Sequence, residues 1–286
     1  MLITAILSAL PAASQQKQAV VSKVITKSIS MASSDALSIV GEKAHIAVSG
    51  WDKDYAQVKI LFSASNVNRA VAVREFEFMQ YAITREKNII ELRNAYVLPF
   101  DVDQIRSMLN VTFEIMLPAR SRLSITNKYG TIELKSLSGE INASFSFCDL
   151  FVTGISGKAS LKPSYSEVRG EVNSPLFFCD AEKSEIFLEL SGGAYTFKTS
   201  LGDIDLDLKS ILSLNVKASH TGVTLRTASV RSFNYDLATR NGKIYAADID
   251  SRHVKEEDRL STLFYKPEAD NALIEIYTTY SPITIK

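Results

Sequence analysis

Cysteine is nearly absent: two in 286 residues cannot build a disulfide scaffold, and Cys148 and Cys179 are not spaced like a zinc site. Their mismatched positions in the pattern described below also argue against pairing with each other. The three histidines, His45, His220 and His253, lie far apart without ligand spacing. Tryptophan occurs once, and Trp51 beside a turn is expected to cap the end of a core. Charge of one sign is not in excess, with 32 Lys plus Arg against 32 Asp plus Glu, so no overall field draws the chain to nucleic acid or an anionic membrane. No Gly-x-Ser-x-Gly elbow, phosphate loop or dinucleotide fingerprint is present. What remains is a chain that is 46% hydrophobic, enough for a substantial core and short of recognisable catalytic machinery.

What is there is a period. Ile132 and Leu134 are followed by Leu150 and Val152, Val168 with Gly170, Ile186 and Leu188, and Ile204 and Leu206, a step of 18 each time. A second series keeps the step: Leu123 and Ile125, Ile141 and Ala143, Ala159 and Leu161, Phe177 and Cys179, Tyr195 and Phe197. Turn residues recur between them, at Gly139, Gly157, Pro175 and Gly193 and at Gly130, Cys148, Ser166, Ser184 and Gly202. A constant phase suggests equivalent strands stacked in parallel, not hairpins, with identical positions forming columns. The expected fold is therefore all-β, a single-stranded parallel β-helix (β-solenoid), right-handed, of about 18 residues per coil, with a small α/β-containing N-terminal section.

The organisation along the chain follows. Residues 1–14, an apolar run ending in Pro11 and the small residues Ala12, Ala13 and Ser14, read as a signal peptide cut before Gln15, although no Lys or Arg precedes the run. The retained alternative is a short apolar arm on the core. Residues 15–35 are expected as a flexible lead-in that joins a first strand near Val24. Residues 36–118 alternate as strands around one helix over 66–77, with a second short helix over 101–108, and cap the solenoid. Residues 119–286 carry the regular β-solenoid and its C-terminal capping strands. Beyond Leu208 the step loosens to 19 and then 21, which predicts extra residues bulging at turns. No later stretch reaches the roughly 18 apolar residues of a membrane-spanning helix.

The stretch Leu123-Ser-Ile-Thr-Asn-Lys-Tyr-Gly-Thr-Ile-Glu-Leu-Lys-Ser-Leu-Ser-Gly139, after a strand ending in Leu117-Pro118, resembles the bacterial putative-adhesin domain family, whose members form parallel β-helices. Ala44-His-Ile-Ala-Val-Ser-Gly-Trp-Asp-Lys53 is similar to that family's opening strand and turn. The resemblance spans about Ile39 to Ile285. It implies an exported envelope protein of Gram-negative bacteria, in the periplasm or at the cell surface, and carries no catalytic set to transfer.

Two surface features stand out. Register places Asp149, Glu167, Glu185 and Asp203 in one column, with Glu171, Glu189 and Asp207 in another. Stacked carboxylates repel unless screened, so the column is a candidate divalent-cation face, calcium being the expected ion; the alternative is a solvated acidic face that keeps the protein soluble. The outward Phe151 and Phe187 flank Arg169, a candidate contact for a glycan or partner surface, unless a loop covers them. The leading functional expectation is an exported, non-catalytic binder or scaffold whose partner is an envelope protein or glycan surface, with no nucleic acid and no required cofactor. The alternatives are a carbohydrate-active β-helix lyase or hydrolase drawing on the acidic columns, and an intracellular structural protein that keeps its N-terminal run. A single row of matched acids is not a tuned acid/base pair.

Overall fold

The computed structural model describes residues 18–286, so the expected signal peptide and the first residues of the expected lead-in fall outside the described residues. Three long strands, β1 (Ala19–Ser30), β2 (Ala36–Trp51) and β3 (Tyr55–Asn66), lead into helix α1 (Arg69–Phe76) and strands β4 (Met79–Glu86), β5 (Ile89–Tyr96) and β6 (Met108–Pro118). The middle of the chain forms β7 (Arg122–Lys135), β8 (Ile141–Ile155), β9 (Ala159–Ser164), β10 (Glu167–Val172), β11 (Leu176–Glu182), β12 (Glu185–Leu190), β13 (Ala194–Leu208) and β14 (Ser213–Thr227). It ends with β15 (Phe233–Arg240), β16 (Ile244–Ala246), β17 (Val254–Glu257), β18 (Leu260–Tyr265), β19 (Ala272–Thr279) and β20 (Ile283–Ile285).

The step of eighteen is the register of the parallel ladders. Leu123 pairs with Ile141, Ile141 with Ala159, Ala159 with Phe177 and Phe177 with Tyr195. In the second row Ile132 pairs with Leu150, then Val168, Ile186 and Ile204. All of these side chains are buried in one continuous core. Burying each large aliphatic or aromatic side chain stabilises the fold by about 1.5–3 kcal/mol. Backbone closeness enforces small residues at the turns: a side chain on Gly157 would run into the carbonyl of Gly139. Ser166 and Ser184 hold the other turn column, each hydroxyl accepting from the backbone N–H one step back, of Cys148 and Ser166, at 3.1 Å.

The all-β expectation holds, with 68% strand and 5% helix, but the single-stranded β-helix does not. Strands β8, β9, β11, β13, β12 and β10 close in that order into a six-stranded parallel barrel, and the other fourteen strands lie outside it. Closure follows from strand length: β8 and β13, of 15 residues each, bend so that their first halves pair with β9 and β11 and their second halves with β10 and β12. At both ends the chain also leaves the simple winding order. Antiparallel ladders join β1 to β3, β3 to β6 and β4 to β5. Strand β14 pairs with β19 and β20, and β15 to β18 are inserted with two antiparallel pairings of their own. Residues 119–286 are thus not one regular solenoid.

Local expectations change as well. The lead-in is a strand: β1 pairs with β3 along its whole length, from Ala19 opposite Asn66 to Ser30 opposite Tyr55. Helix α1 starts one turn later than its apolar pattern, capped by Asn68, whose side chain accepts from the Ala70 N–H at 2.9 Å. No second helix forms over 101–108. The backbone N–H groups of Arg106 and Ser107 are instead given to the carboxylate of Glu75, Ser107 at 2.6 Å. A fully buried carboxylate needs such donors, and satisfying it holds this segment in a loop. The residue added between β13 and β14 does bulge at a turn: pairing is continuous from Ala194 opposite Ser213 to Leu208 opposite Thr227, so the extra residue lies in the exposed link around Leu212.

Candidate interaction surface

The bends of the long strands are made by residues with left-handed backbone. Tyr129 (φ 63°), Phe147 (φ 55°), Tyr165 (φ 51°), Lys183 (φ 48°), Leu201 (φ 59°) and His220 (φ 51°) occupy successive steps, and Tyr280 (φ 59°) follows His220 in space. Left-handed backbone costs a residue with a side chain about 1–2 kcal/mol. Here it turns the chain between the two rows while the ladders on either side stay in register. It also throws the side chain outward, and Tyr129, Phe147, Tyr165, Leu201 and Tyr280 are all exposed. Rings stack along the corner, Tyr129 on Phe147 at 5.0 Å and Phe147 on Tyr165 at 4.9 Å between centroids. Each such pair contributes about 0.5–1.5 kcal/mol, so the stack offsets much of the backbone cost. The Lys183 ammonium lies 4.6 Å from the Tyr165 ring centroid and donates to its hydroxyl at 2.5 Å. Sequence reasoning missed this ladder, although its signal was present: an aromatic residue immediately before the turn column, at 129, 147 and 165, the same step of 18.

The acidic column is brought together as expected. Asp149, Glu167, Glu185 and Asp203 are direct neighbours in the parallel ladders, as are Glu171, Glu189 and Asp207. Basic side chains interleave with them. Arg169 pairs with Glu167, and its hydrogen bond holds the Glu167 carboxyl below its ordinary range. Lys209 bridges Asp207 at 3.0 Å and Glu189 at 3.5 Å. Among the described residues no group of three or more His, Cys, Asp or Glu side chains is disposed to hold a metal ion. The geometry is that of an acidic face partly neutralised by its own lysines and arginines, each exposed pair worth at most about 1 kcal/mol.

The aromatic and arginine trio also meets, with Arg169 opposite Phe151 on one side and Phe187 on the other. The guanidinium carbon lies 4.1 Å from the Phe187 ring centroid. Arg169 is therefore engaged by both Phe187 and Glu167 while remaining exposed, as is Phe151. Neither cysteine adds chemistry: both are free and buried, and burial raises the Cys148 thiol to about 11 and Cys179 further still. Trp51 sits at the end of β2, its indole N–H donating to the Tyr55 carbonyl at 2.9 Å.

A parallel-barrel core wrapped by outer strands and ridged with stacked side chains defines the class of this protein by fold. No protein-family model matches the chain, and no curated protein matches it in sequence. Among solved structures, a "putative adhesin" from Bacteroides fragilis is similar, with a TM-score of 0.52 at 12% identity, covering 92% of this chain and 97% of that one. A "putative lipid binding protein" from Parabacteroides distasonis aligns over 92% of this chain and 96% of its own at 10% identity, with a TM-score of 0.43. A "putative cell adhesion protein" from Clostridium sporogenes aligns over 93% and 99% at 12% identity, with a TM-score of 0.30. At these identities the likeness is one of fold, and it rests on the Bacteroides structure. Among the described residues no helix is long and apolar enough to cross a membrane.

Proposed function

We propose that this chain is an exported, non-catalytic, adhesin-like protein of the bacterial cell envelope that binds or scaffolds envelope proteins or glycans through its registered outer faces. The observation that carries this reading is the corner ladder, in which Tyr129, Phe147 and Tyr165 stay exposed and stacked beside the acidic column. Rows of identical chemistry on a long surface suit multipoint attachment to a repetitive partner. Catalysis by paired carboxylates would instead need one acid kept protonated by its surroundings, whereas Asp149, Glu185 and Asp203 are solvent-exposed and Glu167 is held ionised by Arg169. The shared fold with a structure described as a "putative adhesin" supports the reading.

The purified chain incubated with isolated cell envelopes and with soluble polysaccharides is expected to be retained on envelope material without releasing reducing ends. A Tyr129, Phe147 and Tyr165 triple alanine variant is expected to be retained less. Turnover of any polysaccharide, or no retention at all, would overturn the reading. Export is checked by intact mass in the native host, where a mature start near Gln15 is expected and a retained Met1 would exclude a cleaved leader.

A further inference from the structure

The corner ladder ends in an open cleft of about 800 Å³, and we infer that this cleft binds a neutral oligosaccharide. The inference rests on the surface-binding reading above and names its ligand class and place. The cleft lies where the turn after β15 and the turn before β20 meet the β17–β18 hairpin. Tyr280 is stacked by His220 at 4.8 Å, is still 60% exposed, and lines the cleft. Tyr245, 54% exposed, supplies a second ring on β16. Sugar rings present C–H faces to aromatics and hydroxyls to polar groups, and the polar groups are here: Glu256 and Glu257 accept, and Lys243 donates.

The walls are fixed in place. The Thr239 hydroxyl donates to the Ser281 carbonyl at 2.8 Å, the Ser261 hydroxyl to the Gly242 carbonyl at 3.2 Å, and the Asn241 N–H to the Arg259 carbonyl at 2.7 Å. Asp258 and Arg259 both have left-handed backbone, at φ 43° and 73°, as a tight two-residue hairpin turn requires. A preorganised rim loses little entropy on binding. Charge decides between ligand classes: Lys243 and Arg259 stand against Glu256, Glu257 and Asp258, a near balance that favours neither a polyanion nor a cation. The open lining, polar and apolar in about equal part, likewise does not suit a lipid chain, which needs an enclosed apolar channel.

The test is calorimetric titration of the full chain with cellohexaose, maltohexaose and mannohexaose, with a galacturonate hexamer as the charged comparison. At least one neutral hexasaccharide is expected to bind, and Tyr280→Asn, which suits left-handed backbone, and Glu256→Gln are each expected to weaken it about tenfold or more. Melting temperatures confirm that the variants fold; should Tyr280→Asn melt early, Tyr245→Ala on the other wall decides in its place. Binding of none of the neutral sugars, preference for the galacturonate, or affinity unchanged in the variants would overturn the inference. Envelope retention without hexasaccharide binding would remove the cleft site and leave the surface-binding reading standing; loss of both would remove both.

Discussion

The N-terminal region, β1 to β6, and the parallel region, β7 to β14, bury similar aliphatic columns but secure them differently. In the parallel region order comes from repetition: each residue sits on its own equivalent one step away, and the same turn, hydroxyl and corner geometry recurs. In the N-terminal region it comes from unique contacts. Glu75 caps a loop 31 residues away in sequence, and Arg85 pairs at 3.0 Å with the nearly buried Asp35. Repetition shares a defect among neighbours, whereas a unique contact concentrates it.

That contrast can be broken or sharpened by substitution. The largest effect is expected from Ile186→Asp, which places a charge between Val168 and Ile204 in the closed core. An unpaired buried charge costs several kcal/mol, so denaturant titration should find the barrel unfolded or destabilised by about 4 kcal/mol or more. If that variant is nearly as stable as the wild type, the columns are not what holds the parallel region. Next comes Glu75→Gln, expected to destabilise by about 1–3 kcal/mol and to release the loop around Ser107 to hydrogen exchange while β7 to β14 stay protected. Burial alone would raise the Glu75 carboxyl, but the Ser107 and Arg106 hydrogen bonds outweigh it and hold the group below its ordinary 4.5. A lowered folded value means this stabilisation is complete above pH 4.5 and fades as pH falls through the folded value. Acid titration followed by hydrogen exchange should therefore loosen the N-terminal region of the wild type and change the Gln variant less.

Phe147→Ala ranks third. It keeps the left-handed backbone and loses two stacked contacts, for an expected loss of about 1–2 kcal/mol. Phe147→Gly relieves the backbone and should recover about 1 kcal/mol of that; if the two variants melt together, the corner is not strained. The smallest effect is expected from Glu185→Lys, whose side chain lies between Glu167 and Asp203 on the exposed face. Thermal melting should move by no more than about 0.5 kcal/mol or rise slightly.

These regions also differ in how far the sequence disclosed them. The columns from Ile132 to Ile204 were legible because every member is apolar and the spacing never varies within β7 to β13. Barrel closure was not, since a period sets the register between neighbouring strands and leaves open whether a long strand serves two partners. Strand β1 was read only from near Val24 because its apolar residues do not alternate strictly and only Ile25 among them is buried. The loop at Arg106 and Ser107 depends on a carboxylate far away in sequence, which no local pattern encodes. At the surface both the acidic column and the aromatics at 129, 147 and 165 could be read by counting, but that those aromatics sit on left-handed corners and stack outward could not, because nothing in Tyr or Phe as residue types announces a left-handed φ. The cleft joins Tyr245 of β16, Glu256 of β17 and Tyr280 of the turn before β20, residues that share no period and so left no pattern to read.

The left-handed corner also governs how such a chain can gain or lose length. Side chains alternate in and out along each strand, so a one-residue deletion inside β10 or β12 would turn its core residues to solvent and its acids inward. Removing or duplicating a whole eighteen-residue unit would keep that alternation in phase but change the number of strands that close the barrel. The connection around Leu212 already accommodates an odd residue without disturbing the pairing on either side. Length in this molecule is therefore fixed within strands by the side-chain alternation and across them by barrel closure, and is free only at the links.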